Sequence, residues 1–300
     1  MGHFPTGRWR AVLAGLVIVM CACSFPLYPG ALDIQIEPEE QVTVDWGNLP
    51  LETSVPIPNS TSTLPLTPTQ PALPSGGLII LETNHDGNRE IYSLHADGSN
   101  PVNLTNSPNE EWMIECSPDG QWVLYSTIEE SSLNVYLMTI RGDENKLAFI
   151  LPGKEAHGIW VDPDVIFFEV YDGTATTTYL ASRDGDSWQI QTVPAGAGAD
   201  LMPKYRNFNG ATLETRVENY GKTDLDFEIY LTEGNEEKNL TNHPAWDMIP
   251  MWSADGSKIL FSSNRNGENS DLFLMDRDGN ILRQLTQSDS NDTAYCWIQK

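Results

Sequence analysis

Apolar and polar residues alternate in short runs over most of the chain, and β-branched and aromatic residues fill many of the apolar positions. From residue 77 onward, Asp-Gly, Asn-Gly and Gly-Asn pairs separate these runs and indicate tight hairpin turns. A helical period is almost absent from this region. The pattern therefore predicts one all-β domain over residues 77–300.

Two sets of recurring residues divide this domain into units of similar length. The first set is found by aligning the chain on Trp252 of DMIPMWSADG (247–256), and its members lie 44, 45, 47 and 45 residues apart. It comprises Cys116, Trp160, Tyr205, Trp252 and Trp297. The second set marks strands such as EIYSLHADG and comprises Tyr92, Tyr136, Tyr179, Tyr230 and Phe273. A period near 45 residues made of short strands is typical of a β-propeller with four strands in each blade. Five copies of each marker predict five blades.

The phase of the repeats predicts how the propeller closes. The domain begins with GGLIILETNHDG (76–87), which matches the second strand of a blade, KILFSSNRNG (258–267). The chain ends just after Trp297, the marker of a first strand. The N- and C-terminal strands must then pair to complete one blade, which leaves no exposed sheet edge. A sixth, degenerate blade from residues 31–53 is the alternative.

Residues 247–286, DMIPMWSADGSKILFSSNRNGENSDLFLMDRDGNILRQLT, resemble the repeat of the TolB-type, WD-like propellers. The resemblance extends over about residues 77–300 and is strong in two blades. It implies a propeller fold and a role in holding protein partners or assembling envelope complexes. An α/β domain and a sixth blade, both features of TolB itself, are not predicted here, so the resemblance concerns the repeat family.

One acidic residue precedes each first-strand marker by five positions. These acids are Glu111, Glu155, Asp200, Asp247 and Asp292. We expect them to act as latches between blades by accepting hydrogen bonds from backbone N–H groups of the neighbouring loop. The alternative is an acidic rim at the mouth of the channel that attracts a cation or a basic peptide.

The residues of the first marker set, Cys116, Trp160, Tyr205, Trp252 and Trp297, are expected to pack between neighbouring blades. Cys116 and Cys296 lie on first strands of neighbouring blades, where an exported setting permits a disulfide. Cys296 is one residue out of phase with Cys116, so we expect the two side chains on opposite faces and the pair unbonded. No histidine pair has zinc-ligand spacing, and no nucleophile elbow or phosphate loop occurs, so the sequence predicts no metal, cofactor or catalytic residue.

The first residues predict export. Arg8 and Arg10 precede an apolar stretch from Ala11 to Met20, which is too short to span a bilayer. The following VIVMCACS resembles a bacterial lipoprotein processing site, which predicts a signal peptide over residues 1–22 and lipidation of Cys23. Ordinary signal-peptide cleavage is the alternative. Residues 23–76 are rich in Pro, Ser and Thr and predict an extended tether.

The chain carries 17 basic and 42 acidic residues, a net charge of −25, which argues against nucleic-acid binding. We therefore predict a monomeric, non-catalytic envelope lipoprotein, held on the extracytoplasmic side of a membrane by its lipid, whose propeller binds a protein or peptide partner. The alternative is a carbohydrate-binding or carbohydrate-active propeller that uses channel carboxylates.

Overall fold

The computed structural model of the protein describes residues 73–129, 132–184, 187–194, 207–218 and 225–299. In these ranges the chain forms twenty β-strands, numbered β1 to β20 in chain order. None of the described residues belongs to a helix of the length and apolarity that a membrane crossing requires.

The strands form five antiparallel sheets of four strands each, which are the blades. Blade 1 contains β20 (Asp292–Ile298), β1 (Leu78–Thr83), β2 (Glu90–His95) and β3 (Val102–Asn103). Blade 2 contains β4 (Glu111–Cys116), β5 (Trp122–Glu129), β6 (Ser132–Thr139) and β7 (Asn145–Leu151). Blade 3 contains β8 (Glu155–Asp162), β9 (Val165–Tyr171), β10 (Thr176–Asp184) and β11 (Ser187–Thr192). Blade 4 contains β12 (Asn207–Phe208), β13 (Ala211–Glu218), β14 (Asp226–Glu233) and β15 (Glu236–Asn239), and blade 5 contains β16 (Asp247–Trp252), β17 (Lys258–Ser263), β18 (Asp271–Asp276) and β19 (Ile281–Gln284).

The first and last described strands pair with each other, as the phase of the repeats predicts. In this antiparallel pair, Leu78 of β1 lies opposite Ile298 of β20, and Thr83 lies opposite Asp292. Contacts between strands of different sheets join the blades in the order 4, 5, 1, 2, 3. The five-bladed β-propeller is thus confirmed, while closure of the ring between blades 3 and 4 stays a prediction. Residues 31–53, the alternative sixth blade, lie outside the described ranges.

The core lies between the blades rather than within them. Each of four clusters of buried apolar side chains combines residues of two adjacent blades, namely 1 and 2, 2 and 3, 4 and 5, and 5 and 1. Because successive side chains of a strand point to opposite faces, a strand packed on both faces is buried along its whole length. All six residues of β1 are buried, which explains its continuous apolar run Leu-Ile-Ile-Leu.

Cys116 and Cys296 form a disulfide that joins β4 of blade 2 to β20 of blade 1, with Cα atoms 6.1 Å apart. The expectation of an unbonded pair was wrong. Adjacent blades turn opposite faces toward each other, so residues of opposite phase meet in the same interface. In blade 2, Glu115 takes the place that Cys296 has in blade 1, and its Oε2 faces blade 3, where it accepts a hydrogen bond from the backbone N–H of Trp160 at 2.7 Å.

Candidate functional site

The first marker set lies at the interfaces between blades, with each described member turned toward the preceding blade. Trp160 is buried in the cluster of blades 2 and 3. The ring of Trp252 contacts that of Phe208 in blade 4, with centroids 6.0 Å apart. Trp297 packs against the cluster of blades 5 and 1. Tyr205 lies outside the described residues.

The predicted acids begin the first strands but do not form an exposed rim. Glu111, Asp247 and Asp292 are buried at the starts of β4, β16 and β20. Glu155 is exposed at the start of β8, where its Oε1 lies 3.4 Å from Nε2 of His157. Asp200 lies outside the described residues, as does the predicted lipidation site Cys23.

The buried acids are held by side chains rather than by backbone N–H groups of a neighbouring blade. Nη2 of Arg265, in the same blade, lies 2.9 Å from both carboxylate oxygens of Asp247. Ser288, in the loop that joins blade 5 to blade 1, donates its hydroxyl to Asp292 at 3.4 Å. Burial raises the pKa of Asp292, and hydrogen bonds from Thr83, Thr286 and Ser288 offset part of this effect. These contacts differ from the expected latch, because the donors are side chains of the same blade or of the connecting loop.

Glu111 shows the same pattern with one difference. Burial raises its pKa, and the hydroxyls of Thr105 and Ser107, in the loop that joins blade 1 to blade 2, offset part of the rise. Its Oε2 is buried without a hydrogen-bond partner. Three of the four described acids of this set, Glu111, Asp247 and Asp292, are therefore buried in the fold, and only Glu155 is exposed.

Besides Glu115 on first strand β4, three side chains on second strands latch one blade to the next, and sequence reasoning missed them. Each accepts a hydrogen bond from a backbone N–H on the first strand of the following blade, at 3.0 to 3.3 Å: Glu82 from Met113, Thr215 from Ile249 and Ser262 from Ala294. The three acceptors occupy equivalent positions. Each follows the residue that pairs with a member of the second marker set, Tyr92, Tyr230 or Phe273, on the third strand of its blade. The signal in the sequence is a polar residue at the same place in each of these second strands.

An open cleft of about 930 Å³ lies between blades 5 and 1, and we call it the seam cleft. In blades 2 and 5, an Asp-Gly hairpin joins the first two strands. A Cβ at Gly120 would contact Ile298 of blade 1, and a Cβ at Gly256 would contact Phe208 of blade 4, so both hairpins lie against the preceding blade. Blade 1 has no such hairpin, because its first two strands, β20 and β1, are not consecutive in the chain. The seam cleft occupies the place of that hairpin.

The two strand ends that replace the hairpin are tied to each other and to blade 5. The indole Nε1 of Trp297 and the amide Nε2 of Gln299 both donate to the carbonyl oxygen of Gly76, at 2.9 and 2.8 Å. Oε1 of Gln299 accepts a hydrogen bond from the backbone N–H of Ala254 in blade 5. These bonds fix the inner wall, while Leu282 on β19 of blade 5, at 52% exposure, forms an apolar outer wall.

The acids that line the seam cleft are engaged in their own turns. Asp255 accepts hydrogen bonds from the hydroxyls of Ser253 and Ser257 and from the backbone N–H of Ser257, which lower its pKa to about 2. Asp97 accepts hydrogen bonds from the hydroxyl and the backbone N–H of Ser99, and its pKa is also lowered. Both groups are carboxylates at neutral pH, and neither is tuned to give or take a proton.

Two exposed bases, Lys258 and Arg283, also line the seam cleft. Six other bases of the described chain pair with a carboxylate within 4.0 Å, namely Arg89, Arg183, Arg216, Lys238, Arg265 and Arg277. Within the described ranges, Lys258 and Arg283 form no such pair, although Arg283 is near enough to Asp97 to contribute to its lowered pKa. The cleft thus offers two positive charges beside an apolar wall.

No group of three or more His, Cys, Asp or Glu side chains able to hold a metal ion occurs in the described part of the chain. The seam cleft is within the volume range of pockets that hold small molecules or peptide side chains. Its lining combines apolar surface with two bases, Lys258 and Arg283, and two carboxylates, Asp97 and Asp255.

No family model matches the chain. A stretch of 111 residues, 37% of the chain, is 31% identical to the protein TolB homolog of Chlorobaculum tepidum and covers 23% of that protein. The resemblance to the TolB-type repeat family is confirmed, as a partial match. The match thus spans less than a quarter of the length of this relative.

Two of the solved structures that are similar to this chain match it at low sequence identity. TolB from Acinetobacter baumannii is 18% identical, with a TM-score of 0.38, and the match covers 69% of this chain and 53% of that chain. Hydrazine synthase of Kuenenia stuttgartiensis is 10% identical, with a TM-score of 0.47, and the match covers 75% of this chain and 48% of that chain.

Proposed function

We propose that the protein is a non-catalytic envelope lipoprotein, anchored through Cys23, whose propeller binds a protein or peptide partner in the seam cleft. The observation that carries this proposal is the cleft itself, where an exposed leucine and two bases without a close carboxylate face the same space. Binding sites are typically concave, with apolar walls and a small number of polar groups.

The disulfide between Cys116 and Cys296 supports an exported protein. Structural disulfides persist in oxidising compartments and are rare in the cytosol. The predicted leader, Cys23 and the tether of residues 23–76 are consistent with the same location. The tether would let the propeller reach partners beyond the membrane surface.

The carbohydrate-active alternative has less support. Such an enzyme needs two carboxyl groups of different pKa that face one pocket. The seam cleft contains Asp97 and Asp255, and the pKa of each is lowered by hydrogen bonds from its own turn. Neither is the raised acid that would protonate a leaving group.

Site-specific photo-crosslinking tests partner binding. The crosslinking amino acid is placed at Leu282 in the cleft or, as a control, at Ile150 on the outer strand of blade 2, which is 40% exposed. We expect an envelope protein to crosslink at position 282, to crosslink less when Arg283 is changed to Glu, and to bind the full chain after purification. Equal crosslinking at both positions, or none at 282, would contradict the proposal.

The anchor is tested separately. We expect Cys23→Ser to prevent incorporation of labelled fatty acid and to move the protein from the membrane fraction to the soluble exported fraction. A wild-type protein without label, recovered in the soluble fraction, would indicate ordinary signal-peptide cleavage.

A further inference from the structure

We propose that residues 32–46 of the chain itself, LDIQIEPEEQVTVDW, dock in the seam cleft. This inference rests on the proposed function, because the segment would compete with the partner for the same site. We call residues 32–46 the acidic segment.

The chemistry of the acidic segment complements that of the cleft. Its apolar residues fall on even positions, namely Leu32, Ile34, Ile36, Val42, Val44 and Trp46. An extended backbone would bring all six to one face. The segment also contains five carboxylates and no Lys or Arg. An apolar face with acidic side chains matches a cleft that presents Leu282 and Trp297 beside Lys258 and Arg283.

The position of the cleft makes this occupant accessible. Leu73 and Pro74, where the described propeller begins, line the cleft themselves. The 26 residues from 47 to 72 separate the acidic segment from that point. A linker of this length, if it behaved as a random coil, would have a root-mean-square span of roughly 30 Å, enough to return to its own starting point. Intramolecular attachment of this kind gives an effective concentration on the order of millimolar.

The net negative charge of the chain does not prevent this contact. At physiological salt the Debye length is about 8 Å, so exposed charges farther away are largely screened. The local charges therefore dominate, and both cleft acids are already hydrogen-bonded in their turns. Lys258 and Arg283 are the groups that an incoming carboxylate could pair with, whereas Asp97 and Asp255 keep their negative charges within their turns.

Docking would change the position of the propeller relative to its anchor. With the acidic segment docked, only residues 24–31 would separate the cleft-bound chain from the lipidated Cys23, whereas residues 24–72 separate them when it is free. The docked state would thus hold the propeller near the membrane with the cleft covered. A partner that displaced the segment would release the propeller to a greater reach.

Hydrogen exchange measured by mass spectrometry on the full mature chain tests the docking. We expect amides of residues 32–46 to exchange several-fold more slowly in the wild type than in the double variant Lys258→Glu/Arg283→Glu. Lys154→Glu is the matched control, because Lys154 is an exposed base of the segment before blade 3 that does not line the cleft. It should leave the protection unchanged. Changing Glu37, Glu39 and Glu40 to Lys should remove the protection in the wild type and restore it in the double variant.

Equal exchange of residues 32–46 in the wild type and the double variant would overturn the docking proposal. Crosslinking of an envelope protein at position 282 would then still support the proposed function. Conversely, strong protection without a crosslinked partner would support docking and contradict partner binding. If both proposals are right, deletion of residues 32–46 should increase the crosslinking yield at position 282.

Discussion

Glu82 combines an inter-blade hydrogen bond with deep burial and an ion pair to Arg89 at 3.2 Å. Burial raises its pKa to about 7, although the nearby guanidinium lowers it. Because the folded pKa lies above the unfolded value, this group stabilises the fold below about pH 4.5, and the contribution is lost as the pH rises through about 7. A shift of this size corresponds to at most about 3 kcal/mol.

We therefore expect the free energy of unfolding to fall less between pH 5 and pH 7.5 in Glu82→Gln than in the wild type. Glutamine keeps an acceptor for the N–H of Met113 but cannot titrate. Urea unfolding at the two pH values measures the difference. Glu155→Gln, at an exposed position, should keep the wild-type dependence, and an unchanged slope in Glu82→Gln would refute this assignment.

The pair of Asp247 and Arg265 gives a second prediction for single residues. Asp247 is fully buried, and both of its oxygens face the guanidinium of Arg265. Loss of one partner of a buried pair leaves a charge without compensation, so Asp247→Ala should cost about 3 to 5 kcal/mol of unfolding free energy. Glu155→Ala, with its exposed carboxylate, should cost less than about 1 kcal/mol. Chemical denaturation of both variants measures this contrast, and equal costs would contradict it.

The position of these acids in the repeat was predictable from the sequence, whereas their partners were not. Recurrence of one residue type identifies an equivalent place in every blade, and Glu111, Asp247 and Asp292 do begin equivalent strands. Their donors are different in each blade, since Asp247 uses an arginine and Asp292 uses hydroxyls. Contacts made by unlike residues leave no repeated pattern for sequence reasoning to detect.

The hairpin between the third and fourth strands of a blade packs against the blade before it. A Cβ at Gly279 of blade 5 would overlap the carbonyl oxygen of Leu240 in blade 4, and one at Gly98 of blade 1 would lie 2.7 Å from that of Leu285 in blade 5. The Asp-Gly pairs were visible in the sequence as turn signals. The contact of each Asp-Gly hairpin with a leucine of the preceding blade required the structure, because it joins residues of different repeats.

Gly279→Ala tests this packing. Gly279 has a φ of 90°, so alanine adds both backbone strain and a clash with Leu240. Gly210 has a similar φ of 83° but open space around it, which makes Gly210→Ala the control for strain alone. We expect the control to cost about 1 kcal/mol and Gly279→Ala to cost about 1 to 3 kcal/mol more. Thermal and urea unfolding measure the difference, and equal losses would show that the contact is unimportant.

At the scale of the molecule, the number and spacing of the repeated residues predicted the number of blades and the pairing of the terminal strands. Both follow from periods in the sequence, and β1 pairs with β20 as expected. The seam cleft was not predicted, because it results from a missing hairpin between two ends of the chain. The disulfide was missed for a related reason. The repeat positions of Cys116 and Cys296 were compared as if both cysteines lay in the same blade, whereas adjacent blades turn opposite faces toward each other.

The disulfide of Cys116 and Cys296 fastens the last strand of the propeller to blade 2. It closes a loop with a sequence separation of 180 residues, and β20 has no covalent continuity with β1. Because a crosslink over a long loop restricts the unfolded chain most, its removal should cost about 2 to 5 kcal/mol. We expect a reductant to lower the urea midpoint of the wild type, with the two thiols shown by alkylation to be free. Cys116→Ala/Cys296→Ala should have a lowered midpoint without reductant and no further response to it, whereas a wild-type midpoint that is the same before and after complete reduction would show that hydrogen bonds to β1 alone hold the closing strand.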